Sequence, residues 1–286
     1  MKFIYIIFML ALIPACTSDH EIISQNASNW LEVQQRGYGT VTLAFVSSDG
    51  FSYTDNDGNL TGVTIELVRD FIRYVNKAYD VNIEINYYPV DNFSGFYNYV
   101  KEAESGVFGV ANVTITEERR NELQFSPPYM TNIATLITHS DIPEIRSFDE
   151  IPVTFTDLKA LAFEGTLHQD RLENIRTEYL PDADIVFAQS NNEIIERASA
   201  QNRYFAYVDI YNYWRAAEHG APLRRHAAGD ESSEEFGIIM PLDSDWVEVI
   251  EEFFEYNGGY VQTSRYRELM EKHLGKELAD LLLKGY

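Results

Sequence analysis

A threonine and an arginine five residues later in the chain could together hold a small anion. Thr114 and Arg119 follow an apolar run from Val107 to Val113 that is typical of a buried strand. A guanidinium is a planar fork that meets a carboxylate with two hydrogen bonds, and a threonine adds a hydroxyl and a backbone N–H. The alternative is that Thr116 only caps a helix and Arg119 is solvated. Spacing alone leaves both interpretations open.

Composition bounds the kinds of partner that the chain can have. The 286 residues are 45% hydrophobic, which is enough to bury a core, and 45 acidic residues against 22 basic ones give a net charge of −23. Such a charge repels nucleic acid, so we expect no nucleic-acid partner. The six histidines show no pair with metal-ligand spacing, so we predict no metal site and no cofactor.

The N-terminus has the pattern of an export signal. Met1-Lys2 is followed by a 13-residue apolar run from Phe3 to Ala15, too short to span a bilayer and typical of a signal peptide. The run ends at the only cysteine, Cys16, in a sequence that resembles a bacterial lipoprotein signal. We predict a signal peptide over 1–15, lipidation of Cys16, and a lipid-anchored tether over 16–35. The alternative is ordinary cleavage nearby, leaving a free thiol.

Apolar periodicity predicts strands that alternate with helices through the chain. Thr40–Val46 is a typical buried strand, and Ile65–Val75 has the apolar spacing of a helix. A Pro- and acid-containing link over 141–157 separates two halves with similar patterns. The sequence therefore predicts an α/β protein with mostly parallel sheets, helices on both faces, and two units.

Four stretches together resemble the family 3 extracellular solute-binding proteins, the amino-acid-binding partners of ABC transporters. The resemblance extends over about residues 36–275. The stretches are Asp57–Leu67, Thr114–Tyr129, Gly165-Thr166 after a strand, and Phe236–Pro241 followed by Gly258-Gly259-Tyr260.

The resemblance implies a type II periplasmic binding protein, in which two lobes close around a ligand. Lobe 1 would hold residues 36–135 and 236–286, and lobe 2 would hold 136–235. The two strands that cross between the lobes would lie near Ala134–Thr138 and Phe236–Met240. The implied location is the periplasm, with the membrane reached through the lipid anchor.

The resemblance also assigns roles in binding the ligand carboxylate. Arg119 would pair with the α-carboxylate, and Thr114 would donate its N–H and hydroxyl to the same group. Thr166 and Leu167 would direct N–H groups of a helix N-terminus at it. For Thr166, a helix-capping role is compatible with this one.

The remaining implied roles concern the ammonium group and the side chain of the ligand. Asp209 would pair with the α-ammonium, although a helix N-cap is its alternative role. Asn112 stands where the family has a small residue that meets the ammonium, so it would narrow the pocket or contact the ligand side chain. Phe51 and Tyr53 would present an aromatic face to the ligand, with core packing as the alternative.

The implied function is capture of a small zwitterion, an amino acid or similar molecule, for an ABC-type permease. A membrane receptor that senses the closed form would use the same site. An enzyme on the same scaffold is the second class of hypothesis, because some relatives dehydrate prephenate-like acids with a pocket glutamate. Glu164 is the candidate for that acid. We expect no lytic transglycosylase domain, which other relatives carry after the binding module.

Overall fold

The computed structural model describes residues 27–283, and the predicted signal peptide and Cys16 lie outside this range. The elements of the first half are α1 (Trp30–Arg36), β1 (Tyr38–Phe45), β2 (Tyr53–Thr54), β3 (Leu60–Thr61), α2 (Val63–Tyr79), β4 (Asn82–Pro89), α3 (Phe93–Glu102), β5 (Val107–Thr114), α4 (Glu117–Arg120), β6 (Leu123–Phe125) and β7 (Met130–His139).

The second half continues the alternation of strands and helices. Its elements are α5 (Ile151–Thr154), β8 (Lys159–Phe163), α6 (Leu167–Tyr179), β9 (Ile185–Ala188), α7 (Asn191–Ala200), β10 (Tyr204–Asp209), α8 (Ile210–Glu218), β11 (Leu223–Pro241), α9 (Val247–Glu255), α10 (Ser264–Leu274) and α11 (Lys276–Leu282). Short 3₁₀ turns occupy Phe148–Glu150, Tyr256–Gly258 and Tyr260–Gln262.

The strands join in the order β4-β1-β5-β11-β7-β10-β8-β9, with β6 pairing on β11. The two arms of this sheet, β4-β1-β5 and β10-β8-β9, are internally parallel. The strands between them pair antiparallel, because β7 and β11 run between the arms in opposite directions. This is the predicted α/β two-lobe fold, with the arm β4-β1-β5 at the centre of lobe 1 and the arm β10-β8-β9 at the centre of lobe 2.

Alternate side chains of the arms pack against helices on opposite faces. In lobe 1, Leu43 of β1 lies in a core cluster with α2, whereas its neighbour Ala44 lies in a cluster with α3. In lobe 2, Ala160 of β8 packs with α6 and Leu161 packs with α7. Strands covered on both faces in this way read as continuous apolar runs rather than alternating patterns.

The crossing strand β11 is much longer than the predicted strand Phe236–Met240. It covers 19 residues. Its first part pairs with β7 through Phe236, and its last residues pair with β5 and β6 of lobe 1. The first part of β11 is polar, so it lacks the apolar pattern from which a buried strand can be predicted. The exact lobe limits stay a prediction.

Helix α1 occupies residues that we predicted to be the end of a tether. The side chain of Asn29 accepts from the N–H of Glu32, 2.8 Å away, and so caps the helix. Trp30 is buried, with its ring centroid 5.1 Å from that of Trp246, and the carboxylate of Asp245 accepts from its backbone N–H at 2.8 Å. The tether prediction is therefore wrong for this helix, because its buried face and its cap fix it to the lobe 1 core.

Among residues 27–283, no helix combines the length and apolar composition that a bilayer crossing needs.

Candidate functional site

A cavity of about 400 Å³ lies between the two arms of the sheet. Lobe 1 contributes the end of β1, the end of β5 and the start of α3, and lobe 2 contributes the starts of α6, α7 and α8. Six of the predicted ligand-binding residues line it together: Asn112, Thr114, Arg119, Thr166, Leu167 and Asp209. Residues far apart in the sequence therefore meet around one space.

Arg119 is held in place by its own turn and by two aromatic rings. Its backbone N–H donates to the hydroxyl of Thr116 at 3.1 Å, so Thr116 does cap the short helix α4. The guanidinium then folds back, and its Nη1 donates to the carbonyl oxygen of Thr114 at 3.0 Å. The rings of Phe93 and Tyr97 lie 5.6 and 5.7 Å from its Cζ. The capping role and the cavity position thus coexist.

The guanidinium of Arg119 makes no ion pair with any residue of the described range 27–283. Burial disfavours its charged form and lowers the pKa of Arg119 from the usual value. An arginine nevertheless stays protonated in proteins. The result is a partly buried cation at the cavity that has no ion pair within the part of the chain that the structure describes, and this favours binding of an anionic group there.

The N-terminus of α6 faces the same cavity from lobe 2. The hydroxyl of Thr166 donates to the carbonyl of Phe163 at 2.8 Å and does not cap the helix. The first N–H groups of a helix have no partner within it, and they carry the positive end of its dipole. This end of α6 therefore adds donors for an anion on the lobe 2 side.

Asp209 ends β10 and is 7% exposed. It occupies the N-cap position of α8 without making the side-chain capping bond that was its alternative role. Instead, its Oδ1 accepts from Nδ2 of Asn132 at 2.5 Å and lies 3.3 Å from Nε2 of His168. A buried carboxylate that is bonded to an amide and an imidazole is available to a cationic group in the cavity.

Asn112 joins the two lobes through its side chain. Its φ of +54° lies in the left-handed region, which asparagine tolerates better than most residues. Its Nδ2 donates to the hydroxyl of Tyr211 at 2.8 Å, and its Oδ1 accepts from the hydroxyl of Tyr129 at 2.8 Å. Burial raises the pKa of Tyr211 and keeps its hydroxyl neutral. Asn112 is therefore bonded to two tyrosines in the cavity wall.

The structure places Phe51 and Tyr53 outside the cavity lining, which corrects their assignment to the ligand. Phe51 is buried in the lobe 1 core, with its ring centroid 4.4 Å from that of Tyr211, and the hydroxyl of Tyr53 lies 3.0 Å from Nδ1 of His273. The segment that lines the cavity lies before these two residues in the chain, over Phe45–Asp49. The chain turns away from the cavity before the aromatic pair.

The cavity residues that the sequence did not assign to the ligand include Asp49, Asp91, His168 and Tyr211. Asp49 and Asp91 are exposed residues of lobe 1. His168 directly follows the predicted anion loop, and Tyr211 comes two residues after Asp209. For His168 and Tyr211, this proximity to predicted site residues was the signal that the sequence offered. Within residues 27–283, no group of three metal-ligating side chains is suitably arranged for a metal ion.

The fold and the lined cleft define this chain as a two-lobe solute-binding protein. Residues 43–276 match the family described as bacterial extracellular solute-binding proteins, family 3, and the chain belongs to that family.

Solved structures of amino-acid-binding proteins share this fold. A Streptococcus pneumoniae substrate-binding protein of an ABC uptake transporter, with bound histidine, is 20% identical, with a TM-score of 0.67 over 86% of this chain and 96% of that one. An ancestral arginine-binding protein bound to arginine is 18% identical, with a TM-score of 0.66 over 82% and 98%. An ancestral amino-acid-binding protein, a precursor of cyclohexadienyl dehydratase, is 22% identical, with a TM-score of 0.62 over 85% and 98%.

The curated relatives that match are longer proteins. Membrane-bound lytic murein transglycosylase F from two strains of Pseudomonas fluorescens is 23% and 24% identical over 144 residues. The match covers 49% of this chain and 27% of each relative, so the chain matches only about a quarter of their length.

Proposed function

We propose that this chain captures an amino acid in the cleft between its lobes. The observation that carries the proposal is Arg119, a partly buried cation that lines the cavity and forms no ion pair with the described residues. A ligand carboxylate would compensate its charge and could bind the N-terminal donors of α6 as well. Asp209 would accept from the α-ammonium. The two charges of a zwitterion thus have separate partners.

Within the amino acids, the charges of the cavity favour a cationic side chain. The fixed charges of the lining are Asp49, Asp91, Asp209 and Arg119. A zwitterion would balance Arg119 and Asp209, which leaves the two exposed aspartates of lobe 1 without a counter-charge. Several structurally similar proteins are described as binding arginine or histidine. We therefore propose L-arginine as the first ligand to test.

Delivery to the permease of an ABC transporter is the proposed purpose of this capture. It is supported by the family and by a similar structure described as part of an ABC uptake transporter. A periplasmic location with a lipid anchor at Cys16 belongs to the same proposal. A membrane receptor that recognises the ligand-bound form would use the same cleft.

The proposed function is binding without chemical conversion of the ligand. The dehydratase alternative needs an acid at the cavity, and Glu164 was its candidate. Glu164 is exposed and does not belong to the cavity lining. One similar structure is described as a precursor of a dehydratase, and that precursor is itself described as an amino-acid-binding protein.

A thermal-shift screen of the purified protein against the free amino acids tests this function. A ligand that binds only the folded state stabilises it by about 2.7 kcal/mol at a hundred times its Kd. We expect L-arginine to raise the Tm, and its methyl ester, which lacks the carboxylate, to have no such effect. The absence of a shift with every amino acid would contradict the proposal.

A further inference from the structure

Asp209 belongs to a closed ring of side chains that joins the cleft to both crossing strands. Oδ1 of Asp209 accepts a hydrogen bond from Asn132 of β7 and lies next to Nε2 of His168 of α6. His168 contacts Arg171, Arg171 pairs with Glu234 of β11, and Glu234 accepts from the same Nδ2 of Asn132 at 3.0 Å. We call these five residues the Asp209 network.

The contacts of His168 fix which of its ring nitrogens carries the proton. Nδ1 of His168 lies 3.1 Å from Nη1 of Arg171. A guanidinium can only donate hydrogen bonds, so Nδ1 must be the acceptor. The proton of the neutral ring is therefore on Nε2, which faces Oδ1 of Asp209. His168 donates to the carboxylate that we assign to the ligand ammonium.

Arg171 is in turn held rigidly by the crossing strand β11. Its Nε donates to Glu231 at 2.8 Å, its Nη2 pairs with Glu234, and its Cζ lies 5.8 Å from the ring centroid of Tyr207. The side chains of Arg171 and Glu234 are 13% and 9% exposed. Because Arg171 and Glu234 are little exposed and have several partners, their side chains are restricted to few rotamers.

The charges of the Asp209 network do not balance. With His168 neutral, the ring contains two carboxylates, Asp209 and Glu234, and one cation, Arg171, which also pairs with the exposed carboxylate of Glu231 outside the ring. Oδ2 of Asp209 forms no hydrogen bond with a residue in the described range. One further positive charge beside Oδ2 would neutralise the ring, and a ligand ammonium supplies one.

We propose that His168 and Asn132 are positioning residues that hold Oδ1 of Asp209 so that Oδ2 meets the ligand ammonium. Arg171 acts through His168 by fixing its tautomer and orientation. This inference rests on the proposed function, because it requires an amino acid whose ammonium reaches Asp209.

Paired probes with and without the α-ammonium test the positioning role. The probes are L-arginine and 5-guanidinopentanoate, which has the same carboxylate and guanidinium but no amine. The variants are His168→Leu, which removes the donor, and His168→Gln, whose side-chain amide can replace Nε2–H. His219→Leu is the control, since His219 is an exposed residue outside the cavity lining.

We expect His168→Leu to weaken L-arginine binding by roughly tenfold or more, the usual effect of losing a hydrogen bond to a charged group. Binding of 5-guanidinopentanoate should stay within about twofold of wild type in the same variant. His168→Gln should recover most of the L-arginine affinity, and His219→Leu should change neither. Equal loss of both probes would mean a general structural role and would overturn the proposal.

A second measurement tests the hydrogen bonds of the Asp209 network and needs no ligand. Nitrogen-15 NMR of the histidine side chains, with His168 assigned by comparison with His168→Gln, reports which ring nitrogen is protonated. We expect the Nε2–H tautomer for His168 in the ligand-free protein, and an Nδ1–H tautomer would overturn the proposal. If the wild-type protein binds neither probe, the proposed ligand class is wrong. The tautomer of His168 then decides by itself whether the hydrogen bonds of the Asp209 network are as we describe them.

Discussion

The guanidinium of Arg119 lies over Phe93 and Tyr97 and bonds only to a backbone carbonyl of its own turn, among the residues that the structure describes. Removing a cation from water without a paired anion is unfavourable, so this position costs stability in the empty protein. A ligand carboxylate reverses that cost. At the scale of single residues, the strongest argument for function is therefore Arg119. Its position lowers the stability of the ligand-free protein but suits the binding of an anionic group.

Replacement of Arg119 by alanine should separate binding from folding. We expect Arg119→Ala to weaken L-arginine binding by roughly a hundredfold, because the carboxylate then has no charged partner. The free energy of unfolding of the ligand-free variant should change by less than about 1 kcal/mol, since a desolvated, unpaired charge is lost together with its ring contacts. Calorimetric titration and urea denaturation measure the two quantities.

The matched control is the next residue, Arg120, which is exposed and does not line the cavity. Arg120→Ala should bind L-arginine like wild type. Equal affinities for wild type and Arg119→Ala would refute the carboxylate role of Arg119.

Of the residues that the family resemblance assigned to the ligand, Arg119 and Thr166 line the cavity, whereas Phe51 and Tyr53 do not. Arg119 lies in the one-turn helix α4 just after β5, and Thr166 is the N-cap residue of α6 just after β8, so both are placed by short local connections between a strand and a helix. Phe51 and Tyr53 lie in a longer loop, and the point at which such a loop turns from cavity to core depends on tertiary packing. The same limit applies to His168, because the Asp209 network to which it belongs draws its side chains from β7, α6, β10 and β11.

At the scale of elements, β7 and β11 join the lobes, and their pairing holds one buried histidine. Nδ1 of His226 accepts from the N–H of Ile145 at 3.2 Å, so its Nε2–H faces the hydroxyl of Thr138 at 2.8 Å. His226 is fully buried. Burial, with a smaller effect from nearby Arg224, lowers the pKa of His226 to about 4 from its usual 6.5.

This depressed pKa predicts a pH dependence of stability. Below pH 6.5 the unfolded chain protonates this histidine, whereas the folded protein does so only near pH 4, so the unfolded state binds more protons between these values. Stability should therefore fall as the pH is lowered from 6.5 to 4, by up to about 3 kcal/mol from this residue. Urea denaturation at several pH values should give a shallower slope for His226→Gln over this window.

The control for this slope is His219→Gln, which replaces an exposed histidine. It should keep the wild-type pH dependence, including the background from carboxylates. A His226→Gln curve parallel to that of wild type would contradict the assignment.

Sequence reasoning anticipated the alternation of elements but not the extent of every element. The runs that became β1, β5 and β8 are apolar because both of their faces are covered, and such runs are visible in a sequence. The first part of β11 is polar, and its pairing with β7 follows from the two-lobe arrangement rather than from its own residues. Helix α1 is short and depends on contacts with Trp246 and Asp245 at the far end of the chain.

At the scale of the whole molecule, one continuous sheet places two chemically different walls around the cleft. Lobe 1 contributes the cation, Arg119, together with exposed carboxylates, and lobe 2 contributes a helix N-terminus and Asp209. The rings of Phe93 and Phe163 meet across the cleft, with their centroids 6.4 Å apart. A zwitterion can contact both walls at once, and this explains how a ligand would favour a closed arrangement of the lobes.

The most direct test of this grip is a crystal structure of the protein grown with L-arginine. We predict electron density in the cleft with the ligand carboxylate within hydrogen-bond distance of Arg119 and the start of α6, and with the α-ammonium on Asp209. Density for the ligand elsewhere, or in the cleft with its carboxylate away from Arg119, would contradict the account.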